Sequence, residues 1–197
     1  MTPERAAVVA ILFALALPAG AQTKGPYEVK SGIIEETAPG TTQVVYFDDY
    51  GLKKATYSTM EMGGPASHKL DMELPDGTTY EIDLDDKTGT MMRIPPDAAK
   101  AMAAAMAPAM MKDVKVKDLP GKEFLGRKCK GTEGEAMGML TRAWTYKGII
   151  LYSEVSSASA KGSGKPMIFR ATKLTEGPVP AEKFKVPAGV KIQGGNE

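Results

Sequence analysis

The chain has 197 residues, with 25 lysines and arginines against 24 aspartates and glutamates, one histidine and one cysteine. This near-neutral charge argues against a nucleic-acid-binding protein, which normally carries a basic excess. One cysteine excludes an intramolecular disulfide and a cysteine-cage metal site, and one histidine excludes a catalytic metal centre built from several histidines.

Residues 1–21 have the three parts of a secretory signal peptide. A short charged start precedes an apolar run over 6–18, and Ala19-Gly20-Ala21 follows, where small residues suit a cleavage site. The apolar run is shorter than the ~20 residues that a membrane-spanning helix needs. We therefore predict cleavage after residue 21, a periplasmic or secreted location, and a single mature domain over 22–197 without a stable transmembrane segment.

The first half of the mature chain has the pattern of antiparallel strands. Extended segments are predicted at Tyr27–Thr37, Thr42–Phe47 and Lys53–Thr59. The clearest hairpin follows, because apolar residues alternate with charged ones on both sides of Pro75-Asp76-Gly77. Its apolar residues are Leu70, Met72, Leu74, Tyr80, Ile82 and Leu84. One face of this hairpin is expected to be buried and the other to be exposed to solvent (the wet face below).

The period changes over residues 97–112, which contain eight alanines and four methionines. Met102, Met106 and Met110 recur every four residues and therefore share one face of a predicted helix. Pro108 is expected to kink or split this helix, because it removes a backbone donor. A helix that is apolar nearly all round is normally buried. We expect it to lie in the hollow of a curved sheet.

Strands resume in the second half of the chain. They are predicted at Phe124–Glu133, Leu140–Tyr146, Ile149–Val155 and Met167–Leu174, before a helical turn at Pro180–Phe184 and an extended piece at Val186–Ile192. The fold class is therefore α+β, mainly β, with a curved antiparallel sheet and an Ala/Met-rich helix on its concave face.

Short motifs in this half resemble known exported proteins. Gly126-Arg127-Lys128-Cys129, the run from Trp144 to Leu151, and Ala171-Thr172-Lys173-Leu174 resemble DUF4412-type proteins, as does the run from Tyr46 to Gly51. The close from Phe184 to Val190 resembles the Phe-x-x-Pro-x-Gly-Val ending of the periplasmic lipoprotein carrier family, which has the LolA-like fold. This resemblance implies a half-barrel lidded by helices, with the helix over 97–112 as a lid and acyl chains in the hollow.

The predicted ligand-lining residues combine the helix face with the apolar hairpin face. They are Met102, Met106, Met110, Leu70, Met72, Leu74, Tyr80, Ile82 and Leu84. Methionine is flexible and suits surfaces that adapt to varied apolar ligands. The same methionines equally suit a filled core, and sulfur pairs elsewhere suit Cu(I). Those pairs are Met60-x-Met62, Met91-Met92, Met110-Met111 and Met137-x-Met139.

The sequence contains no convincing catalytic set. His68 lies at the start of a strand and is interpreted as a half-exposed edge residue, because metal ligation needs companions. Cys129 is interpreted as a partly buried strand thiol, with a reactive thiol beside Lys128 and Lys130 as the alternative. A Ser-His-Asp triad would require His68, and no Gly-x-Ser-x-Gly elbow is present. Neither an enzyme activity nor a cofactor or bound metal is expected.

The sequence thus predicts an exported, non-enzymatic, monomeric binding protein that shelters an acyl chain, from a lipid or a lipoprotein, or another apolar ligand. Two alternatives remain open at this stage. One is a structural or stress-related envelope protein with a filled core and no small ligand. The other is a methionine-rich periplasmic protein that handles Cu(I).

Overall fold

The fold is taken from a computed structural model that describes residues 25–61, 63–111, 114–136, 138–157 and 165–194, with only the backbone described at 107–111. The predicted signal peptide, residues 1–21, lies outside the described residues.

The described residues form twelve strands, one α-helix and two short 3-10 turns. The strands are β1 Gly32–Ala38, β2 Thr41–Asp48, β3 Lys53–Met60, β4 Ser67–Glu73, β5 Thr78–Asp83, β6 Thr88–Arg93, β7 Lys115–Phe124, β8 Arg127–Ala136, β9 Met139–Tyr146, β10 Ile149–Ser157, β11 Met167–Glu176 and β12 Lys191–Gln193. The helix, α1, spans Pro96–Met111, and the 3-10 turns span Asp49–Gly51 and Ala181–Phe184.

All twelve strands belong to one open, curved sheet, which confirms the predicted fold class. Its order is β12-β6-β5-β4-β3-β2-β1-β11-β10-β9-β8-β7. Strands β1–β6 form one meander and β7–β11 a second, and the two meanders meet where β1 pairs with β11. The sheet does not close, because β12 and β7 lie at its two ends.

The two faces of the first meander differ in polarity, as the period-2 alternation predicted. One face carries two apolar rows across paired strands, Tyr46-Ala55-Met72-Tyr80 and Tyr57-Leu70-Ile82. The other face carries the charged rows Lys54-Glu73 and Asp71-Glu81. Because side chains alternate along each strand, these rows lie on opposite sides of the sheet.

The C-terminal segment after β11, residues 177–194, covers the apolar rows and is called the C-terminal strap below. Phe184 is buried against Ala55, Leu70, Met72 and Ile82. Four further strap residues pack against the same cluster: Val179, Val186, Val190 and Ile192. The strap ends in β12, which pairs in parallel with β6 and so fixes the strap to the edge of the sheet.

A second core lies around the seam between the two meanders. Its buried residues are Val29, Ile34, Val45, Phe47, Cys129, Trp144, Ile149, Leu151 and Ala171. The chain before β1 contributes to it, because Tyr27 packs edge-on against Phe47 with ring centroids 5.0 Å apart. The molecule thus has one core under the strap and another at the seam.

Helix α1 connects the two meanders and differs from its prediction. It runs unbroken from Pro96 to Met111 with Pro108 inside it, so the expected split does not occur. Every residue from 96 to 106 is exposed, so the expected burial in the hollow is not seen for this part of the helix. The physical reason is that the strap already covers the apolar face of the sheet.

Candidate functional site

The sheet half of the predicted lining set does come together. Leu70, Met72 and Ile82 are buried side by side, at most 1% exposed. Tyr80 and Leu84 are partly buried against them, while Leu74 is half-buried outside this cluster. The surface opposite them is occupied by strap side chains rather than by the helix.

Aromatic and cationic contacts hold the strap on this face. The Lys183 ammonium lies 4.9 Å from the ring centroid of Tyr46 and 5.5 Å from that of Tyr57, and Lys53 lies 4.5 Å from that of Phe184. The Tyr57 hydroxyl donates a 3.5 Å hydrogen bond to the Lys183 carbonyl. Burial raises the pKa of Tyr57, although the nearby Lys183 charge opposes this.

The helix half of the predicted set lies apart from the sheet half. Met102 is 54% exposed and Met106 is 52% exposed, and the side chain of Met110 is outside the described residues. Four residues of spacing place Met102 and Met106 on one face, with the charged residues Asp97 and Lys100 on the opposite side. We call this face of residues 98–106 the methionine stripe. It is an apolar surface directed to solvent.

Two hollows on the described part of the chain bear on the prediction, and neither is lined by both the methionine stripe and the apolar hairpin face. The larger, of about 350 Å³, opens on the wet face and is lined mainly by Lys69, Asp71, Glu81, Asp83, Thr88 and Thr90. The pKa of Asp71 is raised there, first by burial and then by the neighbouring Glu81. The smaller, of about 80 Å³, is lined by Glu36, Thr37, Ala38, Thr41, Gln43 and Phe169.

The remaining candidates from the sequence do not form a reactive centre. Cys129 is 4% exposed and burial raises its pKa, which favours the inert thiol. His68 is half-exposed, and its Nδ1 lies 2.8 Å from Asp85 Oδ1. The described residues contain no group of three or more His, Cys, Asp or Glu side chains placed to hold a metal.

Met91-Met92 is the one methionine pair whose two side chains are both among the described residues, and it is not arranged as a pair of copper ligands. Met91 and Met92 are neighbours within β6, so their thioethers point to opposite faces of the sheet. Met62, Met137 and the side chains of Met110 and Met111 lie outside the described residues.

Sequence reasoning missed Glu36 and Phe169. A Glu35-Glu36 pair in a strand shows that one carboxylate faces each side, but it does not show which one faces inward. The side chains that meet Glu36 are decided by the pairing of β1 with β11, in which Glu36 lies opposite Ala171, 135 residues later in the sequence. No local signal could have identified the hollow between these two side chains.

No family model matches the chain, and no curated protein matches it. Among solved structures, the crystal structure of MucB is similar over 94% of this chain and 65% of that chain, with 14% identity and a TM-score of 0.48. The complex of Pseudomonas aeruginosa MucA and MucB covers 81% and 55%, with 14% identity and a TM-score of 0.47. The structure of PNGF-II covers 82% and 30%, with 8% identity and a TM-score of 0.43.

The chain spans less than two thirds of the length of each of these proteins. Likenesses at this distance carry no argument about activity or partners. Within the part of the chain that the structure describes, no helix is both long and apolar enough to span a membrane.

Proposed function

We propose that the protein is an exported, non-enzymatic binding protein for an apolar ligand, such as the acyl chain of a lipid or lipoprotein, and that the methionine stripe of α1 is its contact surface. The same proposal includes that the protein is a DUF4412-type protein related to the periplasmic lipoprotein carriers. The observation that carries it is the exposure of the methionine-bearing face of the helix over residues 96–106, where Asp97 and Lys100 are the only charged residues and lie on the opposite side.

An exposed helix of this composition is unusual for a surface element. Most surface helices bury one apolar face and expose a charged one, whereas residues 96–106 expose both Met102 and Met106 beside several alanines. Contiguous exposed apolar surface commonly marks a site of interaction. Flexible thioether side chains can adapt to a chain without fixed shape, such as an acyl group. The sheet residues Leu70, Met72 and Ile82 act in this proposal as core under the strap.

The test is the binding of a fluorescent fatty acid, followed by its emission on titration with the purified protein. The double substitution Met102→Gln and Met106→Gln makes the stripe polar without adding charge. We expect it to weaken binding at least about tenfold, because each buried apolar side chain is worth ~1.5–3 kcal/mol.

A matched control places the same polar groups away from the stripe. The variant Ala101→Gln with Ala104→Gln adds two glutamines to other sides of the same helix, and it should bind like the parent. No binding by the parent protein, or equal loss in both double variants, would contradict the proposal.

The second candidate is a structural envelope protein without a small ligand. It is favoured by one observation, namely that the strap already fills the apolar face of the sheet with Phe184 and its neighbours. Native mass spectrometry of protein purified from its own envelope separates the two functions. A co-purifying lipid supports the binding protein, and a bare polypeptide mass supports the structural one.

A further inference from the structure

Glu36 faces the small hollow near the seam of the two meanders. One of its carboxylate oxygens accepts a hydrogen bond from the Gln43 side-chain amide on the adjacent strand. Phe169, Thr37 and Thr41 complete much of the wall around it. The side chains on the Glu36 face of the hollow are therefore one carboxylate, one amide, one threonine and one aromatic ring.

An irregularity in the β1–β11 pairing decides which side chains meet Glu36. Glu35 is opposite Lys173, but Glu36 is opposite Ala171, so Thr172 is an extra residue in β11. A regular ladder would place Arg170 opposite Ala38 and thus on the face of Glu36. The bulge instead places Arg170 opposite Thr37, on the other face, and brings Phe169 to the side of Glu36.

Glu36 consequently has no cationic partner among the described residues, whereas Glu35 has one. The Glu35 carboxylate lies 3.0 Å from the Lys173 ammonium, whereas no ion pair is made by Glu36 within the described residues. Across β2 and β3 its row continues with Gln43 and Ser58, both neutral, and reaches a cation only at Lys69 of β4. Three strand spacings put the Cα atom of Lys69 about 14 Å from that of Glu36.

The side chains that the second meander places next to Glu36 on this face are also uncharged. Ala171 and Phe169 come from β11, and Ser153, paired with Phe169, comes from β10. The other titratable group that interacts with Glu36 is the phenol of Tyr27, whose pKa is raised in part by the charge of Glu36. Burial raises the pKa of Glu36 itself. A half-buried carboxylate without a cation carries part of the cost of desolvating a charge, and a bound cation would relieve that cost.

We propose that this hollow is a binding subsite for a primary ammonium group, held by the Glu36 carboxylate against the Phe169 ring. Charge-assisted hydrogen bonds and the face of an aromatic ring are the two contacts that an ammonium group prefers. A single carboxylate suits it better than a divalent metal, which normally takes several oxygen ligands. A volume of about 80 Å³ holds the head group alone, so the rest of the ligand extends outside. The subsite uses no residue of the methionine stripe and stands independently of the proposed function.

The experiment is an NMR titration of the isotope-labelled protein with n-butylammonium chloride at pH 7.5. Resonances of the Gln43 side-chain amide and of the Thr37 and Thr41 backbone amides report on the hollow. We expect saturable shifts that sodium chloride and 1-butanol do not reproduce. The shifts should weaken as the pH is lowered far enough to protonate Glu36, because protonation removes the charge that holds the ammonium, and burial, which raises the pKa of Glu36, moves this loss to higher pH than for an exposed glutamate.

Two carboxylate variants form a matched pair. Glu36→Gln should weaken the affinity for butylammonium at least about tenfold, whereas Glu35→Gln, which removes the outward pair with Lys173, should leave it unchanged. Phe169→Leu should give a smaller loss, and it tests the ring if Glu36→Gln fails to fold. Shifts that sodium chloride reproduces, equal affinity in Glu36→Gln, or equal losses in both carboxylate variants would overturn the proposal.

Discussion

The phenol of Tyr27 lies in the seam core, and burial, followed by repulsion from Glu36 and Glu73, raises its pKa to about 12. An unfolded tyrosine loses its proton near pH 10. Between pH 10 and 12 the unfolded state therefore releases a proton that the folded state keeps, and stability falls as pH rises.

We predict that Tyr27→Phe removes this dependence. The parent protein should lose about 1.4 kcal/mol more of its free energy of unfolding than the variant between pH 8 and pH 11. Urea unfolding at both pH values measures the difference. Parallel losses in the two proteins would show that the Tyr27 phenol is not enclosed.

The backbone of Pro26 passes close to Gly148. The φ of Gly148 is +81°, and a Cβ there would lie 2.3 Å from the Pro26 carbonyl oxygen. Gly126 has a similar φ of +70°, but a Cβ there would meet nothing within 4 Å. Gly148→Ala should therefore lower the free energy of unfolding by about 1–3 kcal/mol more than Gly126→Ala. Chemical denaturation of both variants provides the measurement, and similar losses would refute the close contact with Pro26.

Among the elements, the C-terminal strap is the one that covers the apolar face of the sheet. Phe184→Ala should lower the free energy of unfolding by about 3 kcal/mol, because it leaves a cavity over Leu70 and Met72. Lys185→Ala, at the adjacent exposed position, should change it by less than about 0.5 kcal/mol. Thermal or urea unfolding distinguishes the two. An equally small effect of both would mean that the strap does not stabilise the sheet.

An element was predicted well when the residues that determine its structure lie close together in the sequence. The hairpin of β4 and β5 has its alternation and its turn within twenty residues, and three of its buried residues, Leu70, Met72 and Ile82, were identified correctly. Strand β7 was missed because Pro120 and Gly121 interrupt its pattern. Proline is tolerated there because β7 is the edge strand, where a backbone donor is not needed on both sides. Edge position is a property of the whole sheet.

Helix α1 shows that amino-acid composition predicts a helix but does not predict where the helix packs. Its apolar character correctly predicted a helix, but it was also interpreted as evidence of burial. An apolar composition shows that the helix surface would be more stable if it were covered. It does not show which part of the molecule, if any, covers that surface. The strap, with ordinary valines and one phenylalanine, was predicted only as a turn and an extended piece. Nothing local indicated that it would take the place expected for the helix.

At the scale of the molecule, the half-barrel was implied by the resemblance to the lipoprotein carriers, while a curved antiparallel sheet was predictable from its successive hairpins. The order of its strands was not, because the pairing of β1 with β11 joins segments about 135 residues apart. The hollow beside Glu36 depends on that pairing and on its bulge. Local pattern thus predicted the two meanders, while the candidate ammonium subsite arises from their junction.

The single helical connection between the meanders has one further consequence. If the chain were divided within α1, both pieces would retain complete strands, and they would still share the β1–β11 ladder, the β12–β6 ladder and the packing of Phe184. Separately encoded polypeptides ending at Ala103 and starting at Ala104 should therefore reconstitute a one-to-one heterodimer on co-expression, detectable by affinity capture of either tagged piece. Recovery of each piece alone would mean that covalent continuity through the helix is indispensable.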